Sequence, residues 1–221
     1  MRNVQERWRR KLQYIQIPLG PLQTNAYLLI NDKKDCIIFD PGSEGEAFNE
    51  YLSQNKLNPI AILLTHAHFD HIGAVEQVRL KWNIPVYIHE NEKNWLIDPA
   101  LNGSHRFPFG EIKASKADYL ISSEGELKVG DFTFEVLFTP GHSPGSISFY
   151  HEQTGAVFAG DALFAGSIGR TDLPGGDHAL LIKSIHDKLL TLPEETVVLP
   201  GHGTETTIGA EMESNPFLNG F

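Results

Sequence analysis

The sequence is poor in cysteine: Cys36 is the only one in 221 residues. A single thiol excludes an internal disulfide framework and any zinc module built on clustered cysteines. Long apolar runs are missing too, and nothing approaches the roughly 20 residues of a membrane span. Residues 1–13 are basic and polar, with Trp8 and Leu12 as their main apolar side chains. They lack the apolar stretch of a secretory signal and read as a solvated leader. Positive charge is scarce, with 18 Lys and Arg against 28 Asp and Glu and a net charge of −10. That balance argues against a protein that grips nucleic acid by neutralising its phosphates. The combined expectation is a cytoplasmic protein in a reducing compartment, with neither nucleic acid nor membrane as a partner.

Apolar residues make up 41% of the chain, and 13 of them are Phe, enough for a sizeable core. One domain over 1–221 is expected, preceded by the leader. Ten histidines are many for this length and hint at metal chemistry. Short strands are predicted at 14–18, 25–30, 36–40, 59–64 and 85–89 in the first half. The second half offers strands at 126–129, 132–138, 146–150, 156–160 and 196–199. Helices are predicted at 44–55, 74–82 and 178–191, the last capped by Asp177. One or two helical turns fit 91–97, and a short helix fits just before Pro216. Residues 101–118 read as a long surface loop whose Phe107 and Phe109 need cover.

The strongest local signal is Thr65-His66-Ala67-His68-Phe69-Asp70-His71, directly after the buried run 59–64. Positions two apart in an extended or tightly turned segment face the same way, so His66 and His68 can share one ion. Asp70 and His71 follow once the chain turns and can face a second ion. Three more candidates stand at strand ends, each after a glycine that lets backbone pass close to a crowded centre: His142, Asp161 and His202. Catalytic zinc keeps three protein ligands and one position for water. His66, His68 and His142 then hold one ion, Asp70, His71 and His202 hold the other, and Asp161 bridges them. His89, His105, His151, His178 and His186 lack such context and read as surface or strand-end residues.

These motifs, with the early Asp40-Pro41-Gly42 turn, resemble the metallo-β-lactamase fold hydrolases over about residues 16–216. The resemblance implies a four-layer αββα sandwich of two mixed sheets with outer helices and a metal site at one edge. The zinc β-lactamases usually lack a His at position 71 and use a Cys on the second metal, whereas here His71 is present and Cys36 lies far from the motifs. The flavodiiron branch has Glu in place of His68, and the nucleases carry further domains. Residues 166–177 and 201–206, with Asn215-Pro216-Phe217-Leu218, are most similar to the short bacterial glyoxalase II-like group. The helical extension that supplies much of the glutathione site in longer members has no counterpart after His202. That leaves the thiol open.

The resemblance implies hydrolysis of a small acyl thioester, such as an S-lactoylglutathione-like hydroxyacyl-thiol. Two divalent ions, zinc first with iron or manganese as alternatives, would share the attacking hydroxide. A thiol with a pKa near 8.5 leaves without a strong acid. Asp70 is the expected catalytic residue, orienting the hydroxide and taking its proton. Asp40 and Thr65 are candidates to hold the imidazoles from behind. Arg170 and Phe164 are candidates for substrate contact, although Arg170 also reads as an ion-pair partner of Asp172 or Asp177. Two other activities share this kind of site. A persulfide dioxygenase would hold a single iron on His66, His142 and Asp161, and a lactonase would use the same centre with a different pocket.

Overall fold

Alternation along the strands decides the layering. A computed structural model describes residues 12–108 and 110–218. Residues 1–11 of the leader and Phe109 lie outside the described residues. In β2 (Thr24–Ile30) every residue is buried. Tyr27 and Leu29 point to one face, and Ala26, Leu28 and Ile30 point to the other.

Six strands form the first sheet in chain order: β1 (Gln13–Leu19), β2, β3 (Asp35–Phe39), β4 (Asn58–Leu63), β5 (Val86–His89) and β6 (Tyr119–Ile121). β1 to β3 pair antiparallel and β3 to β6 pair parallel. The second sheet runs from the edge strand β7 (Gly125–Val129) through β8 (Phe132–Phe138), β9 (Ile147–His151) and β10 (Ala156–Gly160). After the small hairpin β11 (Leu163–Phe164) and β12 (Ser167–Ile168), it is completed by β13 (Val197–Pro200) and β14 (Thr206–Thr207). Only β10 and β13 pair parallel in it.

The inner faces pack together through Tyr27, Phe39, Leu63, Phe134, Phe149 and Phe158. Phe39 stacks on Phe158 with ring centroids 3.8 Å apart and meets Phe134 edge-on at 5.7 Å. Such aromatic pairs contribute about 0.5–1.5 kcal/mol each beyond their buried area. Outside the first sheet lie α1 (Gly45–Gln54) and α3 (Val75–Trp82), burying Phe48, Leu52, Val75 and Val78. Outside the second lie α5 (His178–Ser184) and α6 (Ile208–Ser214), with Leu181 and Ile208 against Val157 and Val198. The architecture is the expected αββα sandwich.

Several elements differ from the sequence reading. Asp177 caps α5 by accepting from the Leu180 amide, but the helix continues as a π-turn over Ile185–Leu189. Residues 101–118 are not one loop, because α4 (Pro99–Asn102) and a 3₁₀ turn (Ser104–Arg106) occupy their start. These pieces are too short for a periodic signal. Capping carries them instead: Asp98 accepts from the Ala100 amide, with Pro at the first helical turn. β6 is likewise absent from the predicted strands, since an edge strand of three residues carries no alternation. Among the described residues no helix is long and apolar enough to cross a membrane.

His151 closes β9, fully buried, with Nδ1 on the Thr154 hydroxyl at 2.9 Å and Nε2 without a partner. Burial holds its pKa down to about 4, below the usual 6.5. Between those values the unfolded chain takes up a proton that the folded one refuses, so stability falls as pH drops through that window. His151→Leu is expected to lose about 2 kcal/mol less than wild type between pH 7 and pH 5, read from denaturant midpoints. Parallel pH curves would show that the ring is not held neutral.

Candidate metal centre

Parallel pairing brings the candidate residues together. β3 and β4 run side by side, so their carboxyl ends place Asp40 beside Thr65. β10 and β13 also run side by side, which places Asp161 beside Gly201-His202, with the Gly201 amide on the Gly160 carbonyl at 2.8 Å. The two sheets are stitched at this edge. The Ile147 amide donates to the Thr65 carbonyl (2.9 Å), and the Tyr27 hydroxyl donates to the Pro200 carbonyl (2.8 Å).

From β4 the chain passes through Thr65 to His68 into the short α2 (Phe69–Ile72), which turns Asp70 and His71 back towards His66. One group of potential ligand atoms comes from His66, His68 and His142, and a second comes from Asp70, His71 and His202; within each group the atoms lie within 4.8 Å of one another. Asp161 sits between the groups. Its Oδ1 is 3.5 Å from His71 Nε2, and its Oδ2 is 3.6 Å from both His142 Nε2 and His202 Nε2. On the second group's side, Asp70 Oδ2 faces His202 Nε2 at 3.2 Å and accepts from the Thr24 hydroxyl at 2.8 Å.

Hydrogen bonds at the back of the rings set their tautomers. Asp40 accepts the Thr65 amide and hydroxyl at 2.8 and 2.6 Å. The Thr65 hydroxyl, its proton committed to Asp40, accepts from His66 Nδ1 at 3.2 Å. His71 Nδ1 donates to Asp40 Oδ2 at 3.0 Å, His142 Nδ1 to the Arg170 carbonyl at 2.7 Å, and His202 Nδ1 to the Leu22 carbonyl at 3.2 Å. Four rings thus present an Nε2 lone pair to the centre, as metal ligation requires. His68 presents Nδ1 instead, 2.8 Å from His142 Nε2. Asp40, His66 and His71 also cluster, but both Asp40 oxygens are taken by Thr65 and His71 Nδ1, so Asp40 supports the rings.

The donor set fits a cation. His66 Nε2, His71 Nε2 and Asp161 Oδ1 are buried without a hydrogen-bond partner, and Asp161 Oδ1 is 3.5 Å from His71 Nε2. Unpaired buried polar atoms of this kind are costly, and three among the candidate ligands call for cations. Burial and the neighbouring rings push His66 well below its usual range and His68 down to about 3, which keeps both neutral. Burial works against charge on His71 as well, but Asp70 and Asp161 outweigh it and raise its pKa. Burial alone would raise both carboxylates, yet His71 draws them well below the ordinary range. Two carboxylates here demand positive charge.

A cavity of about 420 Å³ opens onto His68, Asp70, Asp161 and His202. Its walls are apolar, from Leu22, Phe69, Leu101, Phe107, Phe164 and Leu173, and the exposed Arg106 and Arg170 also line it. Phe164 therefore lies in the wall. The Arg170 guanidinium is held by Asp172 through two bonds of 2.8 Å, while its backbone carbonyl orients His142.

The metallo-β-lactamase superfamily model matches residues 19–202. The chain belongs to that superfamily. It is 41% identical over 204 residues to hydroxyacylglutathione hydrolase GloC of Haemophilus influenzae, covering 92% of this chain and 96% of the relative. Among solved structures it is similar to BLEG-1, described as a B3 metallo-β-lactamase, at 58% identity and TM-score 0.92, covering 94% of this chain and all of the other. It is also similar to TTHA1623, crystallised in a di-iron-bound form, at 41% identity and TM-score 0.77, covering 92% of this chain and all of the other. The superfamily member described here is a metal-binding hydrolase.

Three contributors escaped the sequence reading: Thr24, the Leu22 carbonyl and Glu92. Thr24 and Leu22 sit in a plain turn and strand start with nothing to mark them. Glu92 is a fully buried carboxylate in the 3₁₀ turn Glu90–Glu92. Its mark was faint, a charged residue close after the buried strand 85–89.

Proposed function

We propose that this hydrolase is dinuclear and cleaves a small acyl thioester. The observation that carries the dinuclear part is Asp161, whose carboxylate faces both ligand groups at 3.5–3.6 Å. His66, His68 and His142 would hold one ion, and Asp70, His71 and His202 would hold the other. When bound, such ions polarise a carbonyl and bring the pKa of water near 7. Asp70, kept ionised by His71 and His202 and fixed by Thr24, orients the attacking water and takes its proton. The substrate acyl group occupies the apolar cavity.

The cavity lining favours a thioester. Beyond the ligand residues its polar side chains among the described residues are Asn102, Ser167, Arg106 and Arg170. None is an acid at neutral pH, so a leaving group that departs as a thiolate, with a pKa of about 8.5, suits the site. An alkoxide or an amine needs a proton that these groups do not supply. The likeness to GloC, which is named a hydroxyacylglutathione hydrolase, supports a thioester. The likeness to BLEG-1 keeps β-lactam hydrolysis in the test despite His71. Zinc is the first choice of metal, and the di-iron neighbour makes iron the second.

The test is elemental analysis beside turnover. Protein reconstituted with zinc, iron(II) or manganese is expected to hold two ions per chain and to cleave S-lactoylglutathione anaerobically. Rates on a lactone and a β-lactam should be at least 10-fold lower, and a chelator should abolish all turnover. One iron per chain with oxygen uptake on a persulfide would replace this reading with dioxygenation through His66, His142 and Asp161.

A further inference from the structure

The three-histidine group is assembled from two loops of different sheets. His66 and His68 follow β4 in the first sheet, and His142 lies in the β8–β9 loop of the second. Zinc–nitrogen bonds of about 2.0–2.1 Å leave little play between the loops. The one backbone bond between them, from Ile147 to Thr65, joins the two loops at the strand ends and leaves Ala67 and Ser143–Gly145 to be joined by a side chain.

Glu92 fills that gap. Its Oε2 accepts from the Ala67 amide at 2.6 Å, and Ala67 stands between His66 and His68. Its Oε1 accepts from the Ser143 hydroxyl at 2.5 Å and the Gly145 amide at 2.9 Å, both in the loop of His142. Ser143 in turn meets the Ser146 hydroxyl at 2.7 Å, and the neighbouring Asn91 side-chain amide donates to the Pro144 carbonyl at 3.1 Å. The fit is close: a Cβ on Gly145 would stand 2.8 Å from Glu92 Cγ. A buried carboxylate is tolerated only when its oxygens are well supplied with donors. Here every donor belongs to one of the two ligand loops, and none of them is a member of the ligand set.

We propose that Glu92 is a positioning residue that clamps the His66–His68 loop to the His142 loop and so sets metal affinity at the three-histidine site. The proposal rests on the dinuclear reading above. Glutamine keeps the size of Glu92 but cannot satisfy all three donors. With its oxygen towards Ser143 and Gly145, its amide opposes the Ala67 N–H. With its oxygen towards Ala67, its amide opposes the Gly145 N–H. One loop is released either way. Ser143→Ala removes one of three bonds and leaves the carboxylate in place.

The experiment is competition titration of zinc against a chromophoric chelator on the full chain, with cobalt(II) absorption as a site-specific signature. Glu92→Gln is expected to weaken zinc at the three-histidine site 10- to 100-fold, the range seen when groups behind metal ligands are removed, while the Asp70-His71-His202 site keeps its affinity. Ser143→Ala should weaken the same site by a smaller factor, and only that site's cobalt bands should shift. Wild-type affinities at both sites in both variants would overturn the proposal. So would equal weakening of both sites in step with a lower Tm of the metal-free chain, which would make Glu92 a general scaffold group. A wild-type chain that takes up no metal on its three histidines would remove the reading itself, and the proposal with it.

Discussion

Asp161→Ala is expected to hold fewer than two metal ions per chain and to lose at least about 10³-fold in turnover, since metal stabilisation is worth several kcal/mol and each 1.36 kcal/mol is tenfold in rate. The carboxylate has no structural occupation. Its Oδ1 has no hydrogen-bond partner, and both oxygens look towards imidazoles at 3.5–3.6 Å. Removing it should therefore leave folding intact, which circular dichroism of the metal-free variant checks. Asp161→Asn keeps the shape and loses the charge, and it should fall close to the alanine variant. Two ions per chain with undiminished turnover in Asp161→Ala would take this residue out of the centre.

Gly201→Ala is the second large effect, and it comes from adding a group. A Cβ there would lie 2.1 Å from Asp161 Oδ1 and 2.7 Å from His71 Cε1, well inside contact. The backbone cannot retreat, because the Gly201 amide is bonded to Gly160 and its carbonyl accepts from the Asn25 amide, both at 2.8 Å. The side chains must move instead. Overpacking of this kind costs about 1–3 kcal/mol of stability. A displacement of about 1 Å at a reacting centre costs on the order of 100-fold in rate. The expected variant is folded, slightly less stable and roughly 100-fold slower, with reduced metal content. A fully active Gly201→Ala would show that the centre has slack which these distances exclude.

The sequence exposes the metal-facing residues because their chemistry is unusual. The block from His66 to His71 has no structural use for three imidazoles and a carboxylate, and the glycines before Asp161 and His202 mark crowding. Gly160 bears this out: a Cβ there would meet the Thr65 hydroxyl at 2.3 Å. The sheets are legible because continuous apolar runs such as 59–64 and 156–160 bury both faces. The supporting groups are harder to see. Asp40 stood out only through its turn, and it takes a left-handed backbone with φ 45°. Glu92 and Thr24 act through contacts between stretches distant in the chain, and no local pattern encodes a partner 51 or 46 residues away. Arg170 shows the reverse: its side chain drew attention, while its carbonyl positions His142.

The wall formed by Leu101 and Phe107, the latter resting on Phe69 at 4.6 Å, comes from a stretch that supplies no atom to either ligand group. Part of the cavity wall is thus separable from the ligand-bearing stretches, while Phe69 and Leu22 are tied to them. Exchanging residues 99–107 for a segment of different bulk should change which substrates enter the cavity without disturbing ion uptake.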